Sequence, residues 1–513
     1  MPEIEVPRKY EALTFDLDLK GPGSLYKLLG TCRTPLGIET LRDWLVYPAL
    51  PDEVVARQQA VAELATDSEY RERFRLLCEQ LSASQSGPSG FVGWCESSDW
   101  YEGRSWILWF ARLSSLVIIV TFLLMVVGVL NLFVSAIVIG TAIALNFLMS
   151  VLFAGQMHEM FNQISSRAND IMHYEALFKM VSKFDAKSER LVEIQQRLAD
   201  PKHAVLKNVN SLGRLVGLAN MRRNGILFLG YLILEFLFFW DAHILQLLEN
   251  WKRGHGDKAA GWFADLGQWE SLLALSKLSA DHPDWVFPKV QTGSEMSPAK
   301  IKAKQLGHPL LDDRRVCNDV EVGPAGSVLL VTGSNMSGKS TLLRSLGVNV
   351  VLAQMGSVVC ADEMELPSLK IETSMRIVDS LADGVSFFMA ELKRLKEIVD
   401  TAGEINDDQQ WSMLFLLDEI LQGTNSQERQ IAVSRVVRRL IDGNAIGCIS
   451  THDLDLGQTD DLTDKCQTVH FAESFETKDG EEVMTFDYQM REGISPTTNA
   501  LKLLEMVGLG EKK

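Results

Sequence analysis

No charged side chain lies between Arg112 and His158, and this run limits what the chain can fold into more than any other part of it. One helix needs about 20 apolar residues to cross a hydrocarbon core, and the run is about twice that long. From Leu116 to Val134 almost every residue is Leu, Ile, Val or Phe, so entry into a bilayer is strongly favourable. The predicted form is a transmembrane helical hairpin over 106–156, turning near Asn131 to Ser135. Trp106 and Trp109 stand at its entrance, where interfacial aromatics are favoured. Arg104, Arg112 and Arg167 flank its outer ends, which puts both ends on the cytoplasmic side. The expectation is a multi-pass protein of the cell membrane whose soluble domains, before and after the hairpin, are cytoplasmic. A third apolar run, Ile226 to Trp240, is shorter and contains Glu235, and it reads as a buried or interfacial helix rather than a third crossing.

A chain of 513 residues exceeds a single ordinary core, so two or three domains are expected. The seven cysteines are scattered, with no CxxC pair and no His/Cys cluster at ligand spacing. That pattern points to a reducing compartment and to neither disulfides nor structural zinc. The opening residues, Met1 to Lys20, mix Pro, Glu, Arg, Lys and Asp and give no secretory signal. Net charge is −17, which disfavours a broad basic surface for nucleic acid. Helical patterns fill 10–105, with a Ser/Gly-rich loop at Ser82 to Gly93. They resume over 157–290, where Glu159 to Leu198 reads as one long amphipathic helix. The polar stretch Gln291 to Lys304 marks the boundary of a last domain at 300–513.

That domain carries the chemistry. The apolar strand Val328 to Val331 runs into Gly333-Ser334-Asn335-Met336-Ser337-Gly338-Lys339-Ser340-Thr341, and an apolar-periodic helix follows at once. Spacing and context are those of a phosphate-binding loop. Its glycines let backbone N–H groups converge on phosphate, and the helix N-terminus adds partial positive charge. Lys339 reaches the outer phosphates of ATP, and Ser340 offers a hydroxyl to Mg. Further on, Met413 to Leu417 reads as a buried parallel strand ending in Asp418-Glu419. Asp418 is assigned to the metal and Glu419 to the attacking water. A third strand, Ile446 to Ser450, ends in Thr451-His452-Asp453, so His452 faces the same place and can sense the γ-phosphate.

Taken together, these motifs resemble the MutS family. Thr332 to Thr341 has the family's Asn-Met form of the loop, Asp418 to Ser426 its acidic pair followed by a Gly-Thr turn, and Ser450-Thr451-His452 its switch. Ser386 to Leu392 is similar to the segment whose serine acts on the partner subunit's nucleotide, Gln354 to Ala361 to the approach between them, and Gly307 to Leu310 and Arg491 to Gly508 extend the likeness to both ends of the domain. Leu28 to Leu50 and Arg57 to Leu64 look like the start of the family's helical core and lever. The resemblance implies an α/β P-loop NTPase of ABC type at the C-terminus, joined to an all-α core and lever region that the hairpin interrupts. It further implies a homodimer with composite ATP sites, Ser386 acting in trans, and mismatched-DNA binding in mismatch repair.

Against that last implication, Phe-x-Glu occurs only as Phe471-Ala-Glu473, within the ATPase. The expected room for a mismatch-reading domain is missing, and the hairpin stands where DNA-clamping arms would be. Arg315 or Val316 occupies the position of an adenine-stacking aromatic. Weak DNA binding is therefore expected, in a membrane-associated, shortened relative. The alternatives are an energising ATPase of a membrane complex, which lacks its Ser-Gly-Gly-Gln loop here, and an ATP-sensing scaffold, which would not need Glu419.

Overall fold

The computed structural model describes residues 5–82, 87–199, 204–291, 299–376, 387–406, 410–422, 425–452, 464–478 and 481–494. Helices fill the chain to Asp281, and the strands follow. β1 (Lys289–Val290), β5 (Glu363–Leu366), β2 (Ile301–Leu306) and β3 (Asn318–Val322) form a four-stranded sheet in that order. The second sheet runs β10 (Glu481–Glu492), β9 (Cys466–Lys478), β4 (Ser327–Thr332), β8 (Ile446–Ser450), β7 (Ser412–Asp418), β6 (Leu369–Ser374). Its strands from β9 to β6 are parallel, and β10 closes the edge antiparallel to β9. Within β4, β7 and β8 nearly every residue is buried, as strands covered on both faces require. β1 lies on the early side of the polar stretch read as a domain boundary, yet it pairs with β5, so the sheet layer begins before residue 300.

Two helices, Ser105–Val126 and one starting at Leu132, are long and apolar enough to cross a membrane. The turn between them sits at 127–131, slightly before the expected place, because Asn131 caps the second helix by accepting the Val134 N–H at 2.8 Å. Leu113, Val126, Phe133 and Leu152 on their surfaces are all more than half exposed. The second helix does not stop at the hairpin boundary near 156 but continues to His173, where Glu175–Lys183 and Glu189–Ala199 follow as separate helices. One long amphipathic helix from Glu159 to Leu198 is thus replaced by three pieces. Part of the predicted Ser/Gly loop is the short helix Ser89–Glu96, which buries Phe91 and Trp94 against Trp251.

The axis of the helical region is Trp240–Asp281, 42 residues long and so about 63 Å in length. Helix Pro35–Val46 crosses it where two glycines meet: a Cβ on Gly267 would stand 2.9 Å from the Leu36 carbonyl oxygen, and one on Gly37 would stand 2.2 Å from Glu270 Oε2. Glu270 is buried there and accepts the Arg33 and Thr34 N–H groups at 2.6 and 3.1 Å, which satisfies the donors at that helix start. The core is continuous from these helices into the sheet domain. Gly347, in helix Lys339–Met355, lies against Leu17 and Leu416, and the Asp16 carboxylate accepts the Met375 and Arg376 N–H groups.

Candidate functional site

The carboxyl ends of three adjacent parallel strands, β4, β8 and β7, bring the sequence motifs together, the place where open α/β sheets bind ligands. After Thr332 the chain turns through Gly333 (φ 137°), Met336 (φ 68°) and Gly338 (φ 113°) before helix Lys339–Met355 begins. Gly333 also has no room for a side chain, since a Cβ would stand 2.8 Å from the Phe471 carbonyl oxygen and 2.9 Å from Ser337 Oγ. Ser337 Oγ is buried without a hydrogen-bond partner, inside a loop whose residue spacing suits phosphate. Ser334 donates to Glu473 Oε2 at 3.0 Å, which ties the loop to β9.

Lys339 is 4 % exposed. Its ammonium donates to the Gly333 and Ser334 carbonyl oxygens at 3.0 and 2.9 Å and stands 3.4 Å from Glu419 Oε1. Burial lowers its pKa, and the Glu419 charge pulls the other way without cancelling the effect. Glu419 follows directly on β7 in a left-handed backbone conformation (φ 47°), which costs on the order of 1–3 kcal/mol for a non-glycine residue. The backbone holds it there: its N–H donates to the Ser450 carbonyl at 3.1 Å, and the buried Glu391 carboxylate accepts the Leu421 N–H at 2.6 Å to fix the turn that follows.

His452 Nε2 lies 2.9 Å from Glu419 Oε1 and 2.8 Å from Asn335 Oδ1. Both neighbours are acceptors, so this nitrogen carries a proton. Gln422 Nε2 donates to the other Glu419 oxygen at 2.5 Å. These groups hold the Glu419 carboxyl well below its usual range, at about 2, with the His452 hydrogen bond the largest cause and the charges of His452 and Lys339 adding to it. An ionised, oriented carboxylate beside an ammonium can polarise water next to a phosphate. Asp418 accepts a hydrogen bond from the buried Ser450 hydroxyl. Ser340, on the first turn of its helix, and Asp418 offer the hard oxygen donors that Mg prefers.

Every predicted site residue within the described part of the chain is in this cluster, on the loop that borders it or, for Ser340 and Thr341, on the first turn of helix Lys339–Met355; Ser386 lies outside the described residues. Gln422, Glu473, Glu391 and Ser450 were not singled out by sequence reasoning for these contacts. Ser450 and Glu473 had a usable signal, since both sit on strands that lead to the loop. Gln422 and Glu391 had none, because their contacts depend on how the turn after Glu419 folds back.

Comparison with known proteins bears on the same segment. Residues 329–512 match the family model MutS domain V. The chain is 31% identical over 253 residues to the DNA mismatch repair protein MSH3 of Phaeosphaeria nodorum, covering 48% of this chain and 22% of that protein. It is 33% identical over 213 residues to DNA mismatch repair protein MutS of Thermus thermophilus, covering 41% of this chain and 24% of the relative. Human MutS protein homolog 4 is 29% identical over 217 residues, 41% of this chain and 22% of the relative. The chain spans about a quarter of the length of the curated relatives it matches.

Proposed function

Because this chain belongs to the MutS family through its domain V, we propose that it is a Mg-dependent ATPase that works as a nucleotide switch anchored to a membrane. The observation that carries the reading is the meeting of Lys339, Glu419 and His452 at the ends of β4, β7 and β8, a few ångströms apart. In this reading the loop N–H groups and Lys339 bind the phosphates of ATP, Glu419 orients water for in-line attack, and His452 reports the γ-phosphate to Asn335 and Glu419. Ser340 and Asp418 would hold Mg, which would supply charge neutralisation between the outer phosphates. Ser386 would complete the site of a second subunit, giving a homodimer. The two long apolar helices would place the chain in the cell membrane with its soluble domains in the cytoplasm.

The full chain, purified with lipid, should hydrolyse ATP only with Mg present, and turnover per chain should rise with protein concentration as dimers form. Metal-independent turnover would refute the ATPase assignment, and turnover per chain that does not change with concentration would refute the shared site.

A further inference from the structure

The apolar helix Phe228–Phe238 ends where Phe239 takes a left-handed conformation (φ 52°), and the chain bends by 89° into the long helix Trp240–Asp281. Such a break leaves helix-terminal carbonyls without partners. The hairpin supplies them: Asn146 Nδ2 donates to the Phe236 and Leu237 carbonyls at 3.0 and 3.1 Å, and Ser115 Oγ, which donates to its own helix's Ala111 carbonyl at 2.8 Å, lies 3.3 Å from that of Phe238. Ser114 orients Asn146 by donating to its Oδ1 at 2.7 Å. The elbow is therefore built against the hairpin, and its backbone needs account for Ser114, Ser115 and Asn146.

They do not account for its carboxylates. Ile226 and Leu229 on the outer face are 91% and 72% exposed, whereas Glu235 is 2% and Asp241 7% exposed. Glu235 Oε2 accepts the Asp241 N–H at 2.9 Å; Asp241 Oδ2 accepts the Tyr231 hydroxyl at 3.1 Å and lies 3.7 Å from Arg222 Nη1. The second oxygen of each acid, Glu235 Oε1 and Asp241 Oδ1, has no hydrogen-bond partner, and neither has Arg222 Nε.

Two carboxylates face one guanidinium, so the buried elbow carries one surplus negative charge, which is costly out of water. The other groups around it do not offset that charge. From the hairpin's second helix come the Ser150 hydroxyl, beside Glu235, and the His158 carbonyl, which Arg222 meets at 3.5 Å. Arg223 lies in solvent, bonded to Asn162, so water screens its charge. His243, one turn into the long helix, faces Ser115 at 3.5 Å, and its burial, with the Arg112 charge adding to it, opposes a further positive charge there. Among the described residues no group of three or more His, Cys, Asp or Glu side chains could hold a metal ion, which disfavours a multivalent one.

We propose that the Glu235–Asp241 elbow is a binding site for a single positive charge, a proton or a monovalent cation. Glu235 Oε1, with the Ser150 hydroxyl near its carboxyl, and Asp241 Oδ1 are its acceptors, and Arg222 and Tyr231 hold its second carboxylate in place. The site rests on burial and charge count alone and does not depend on the nucleotide reading.

The test uses the full chain in phosphatidylcholine vesicles and N,N′-dicyclohexylcarbodiimide, an apolar reagent that adds to protonated carboxyls shielded from water, with adducts located by mass spectrometry. Glu235 or Asp241 should be modified, and on the alkaline side labelling should fall about tenfold per pH unit, as a one-site titration requires. Protection by Na⁺ at fixed pH, against a choline control, assigns the monovalent cation; pH dependence without Na⁺ protection assigns the proton. Absence of labelling at every pH, or labelling indifferent to both pH and Na⁺, overturns the proposal. As a second measurement, Glu235→Gln removes the surplus charge, so it should raise the Tm at alkaline pH and flatten its pH dependence. A Tm lowered at alkaline pH with the wild-type pH dependence would also overturn the proposal. If the variant fails to fold, the labelling of the unaltered chain decides.

Discussion

Lys339→Ala and Glu419→Gln should separate nucleotide binding from hydrolysis, and the geometry sets the sizes of both effects. Lys339 is shared among two backbone carbonyls and Glu419, and phosphate oxygens would compete with those three acceptors for one ammonium. At 3.4 Å and an effective dielectric of about 20, the attraction between Lys339 and Glu419 is on the order of 5 kcal/mol before desolvation is counted. The net value is a fraction of that, because Glu419 is partly open to water. Neutralising Glu419 therefore frees the ammonium, and ATP should bind with unchanged or up to about tenfold higher affinity. Hydrolysis should fall by about 10²-fold or more, since the oriented charge acts on the transition state. Removing Lys339 deletes a buried charge that meets the ligand, a loss of roughly 2–5 kcal/mol, or about 30-fold to several thousand-fold in Kd. Titration with a fluorescent ATP analogue beside single-turnover phosphate release measures both. Equal loss of affinity in the two variants would refute the division of labour.

Burial pushes the His308 imidazole down to about 4, with the Arg344 charge adding to the effect, so between that value and its ordinary 6.5 the unfolded chain binds a proton that the folded chain does not. Stability should then fall by about 3 kcal/mol as pH drops through this window, and a urea midpoint that His308→Gln leaves equally pH-dependent would contradict it. A Cβ at Gly447 would stand 2.2 Å from the Phe415 carbonyl oxygen, so Gly447→Ala should force β7 from β8. The expected cost is about 1–3 kcal/mol or more, with a lowered Tm and weakened ATP binding together; an unchanged Tm would show that the strands can yield. The intact chain should stay with membranes through alkaline carbonate extraction, and recovery in the supernatant would count against the anchor. DNA binding should be weak and strongly salt-dependent at net charge −17, with less than about threefold preference for a mismatch; a large preference in a competition titration would reveal a reader among the helices.

The cluster of Lys339, Glu419 and His452, proposed to bind nucleotide, was legible in the sequence because its parts are local. A strand, a glycine turn and a lysine at fixed spacing specify the loop around Lys339, and two other buried strands each end in the residues that meet it. What was not legible depends on packing between distant segments. Nothing near Glu235 announces that Asn146, 89 residues earlier, will cap the carbonyls that follow it. Nothing in Glu159 to Leu198 shows that Tyr174 becomes buried and that the helical path is interrupted there. The run without charge between Arg112 and His158 fixed the existence of a hairpin but not its length, since an amphipathic extension to His173 continues the same helix without a breaker.

The long helix Trp240–Asp281 gives these separate features a common frame. At one end it forms the elbow with the hairpin, and near the other Glu270 accepts the N–H groups of Arg33 and Thr34 while Gly267 lets helix Pro35–Val46 approach backbone to backbone. The next helix, Pro51–Ala65, meets the end of helix Lys339–Met355, where a Cβ on Gly356 would stand 2.4 Å from Arg57 Cβ, and Gln58 Nε2 donates to the Pro288 carbonyl at 2.9 Å. Contacts this close leave little play, because packed interiors transmit displacement rather than absorb it. A shift of helix Lys339–Met355 would have to move the N-terminal helices or break these contacts, and the N-terminal helices are fastened to the long helix by buried hydrogen bonds. Among the described residues, the backbone bends by 89° where the long helix begins, at Phe239, the end opposite the one that holds the N-terminal helices.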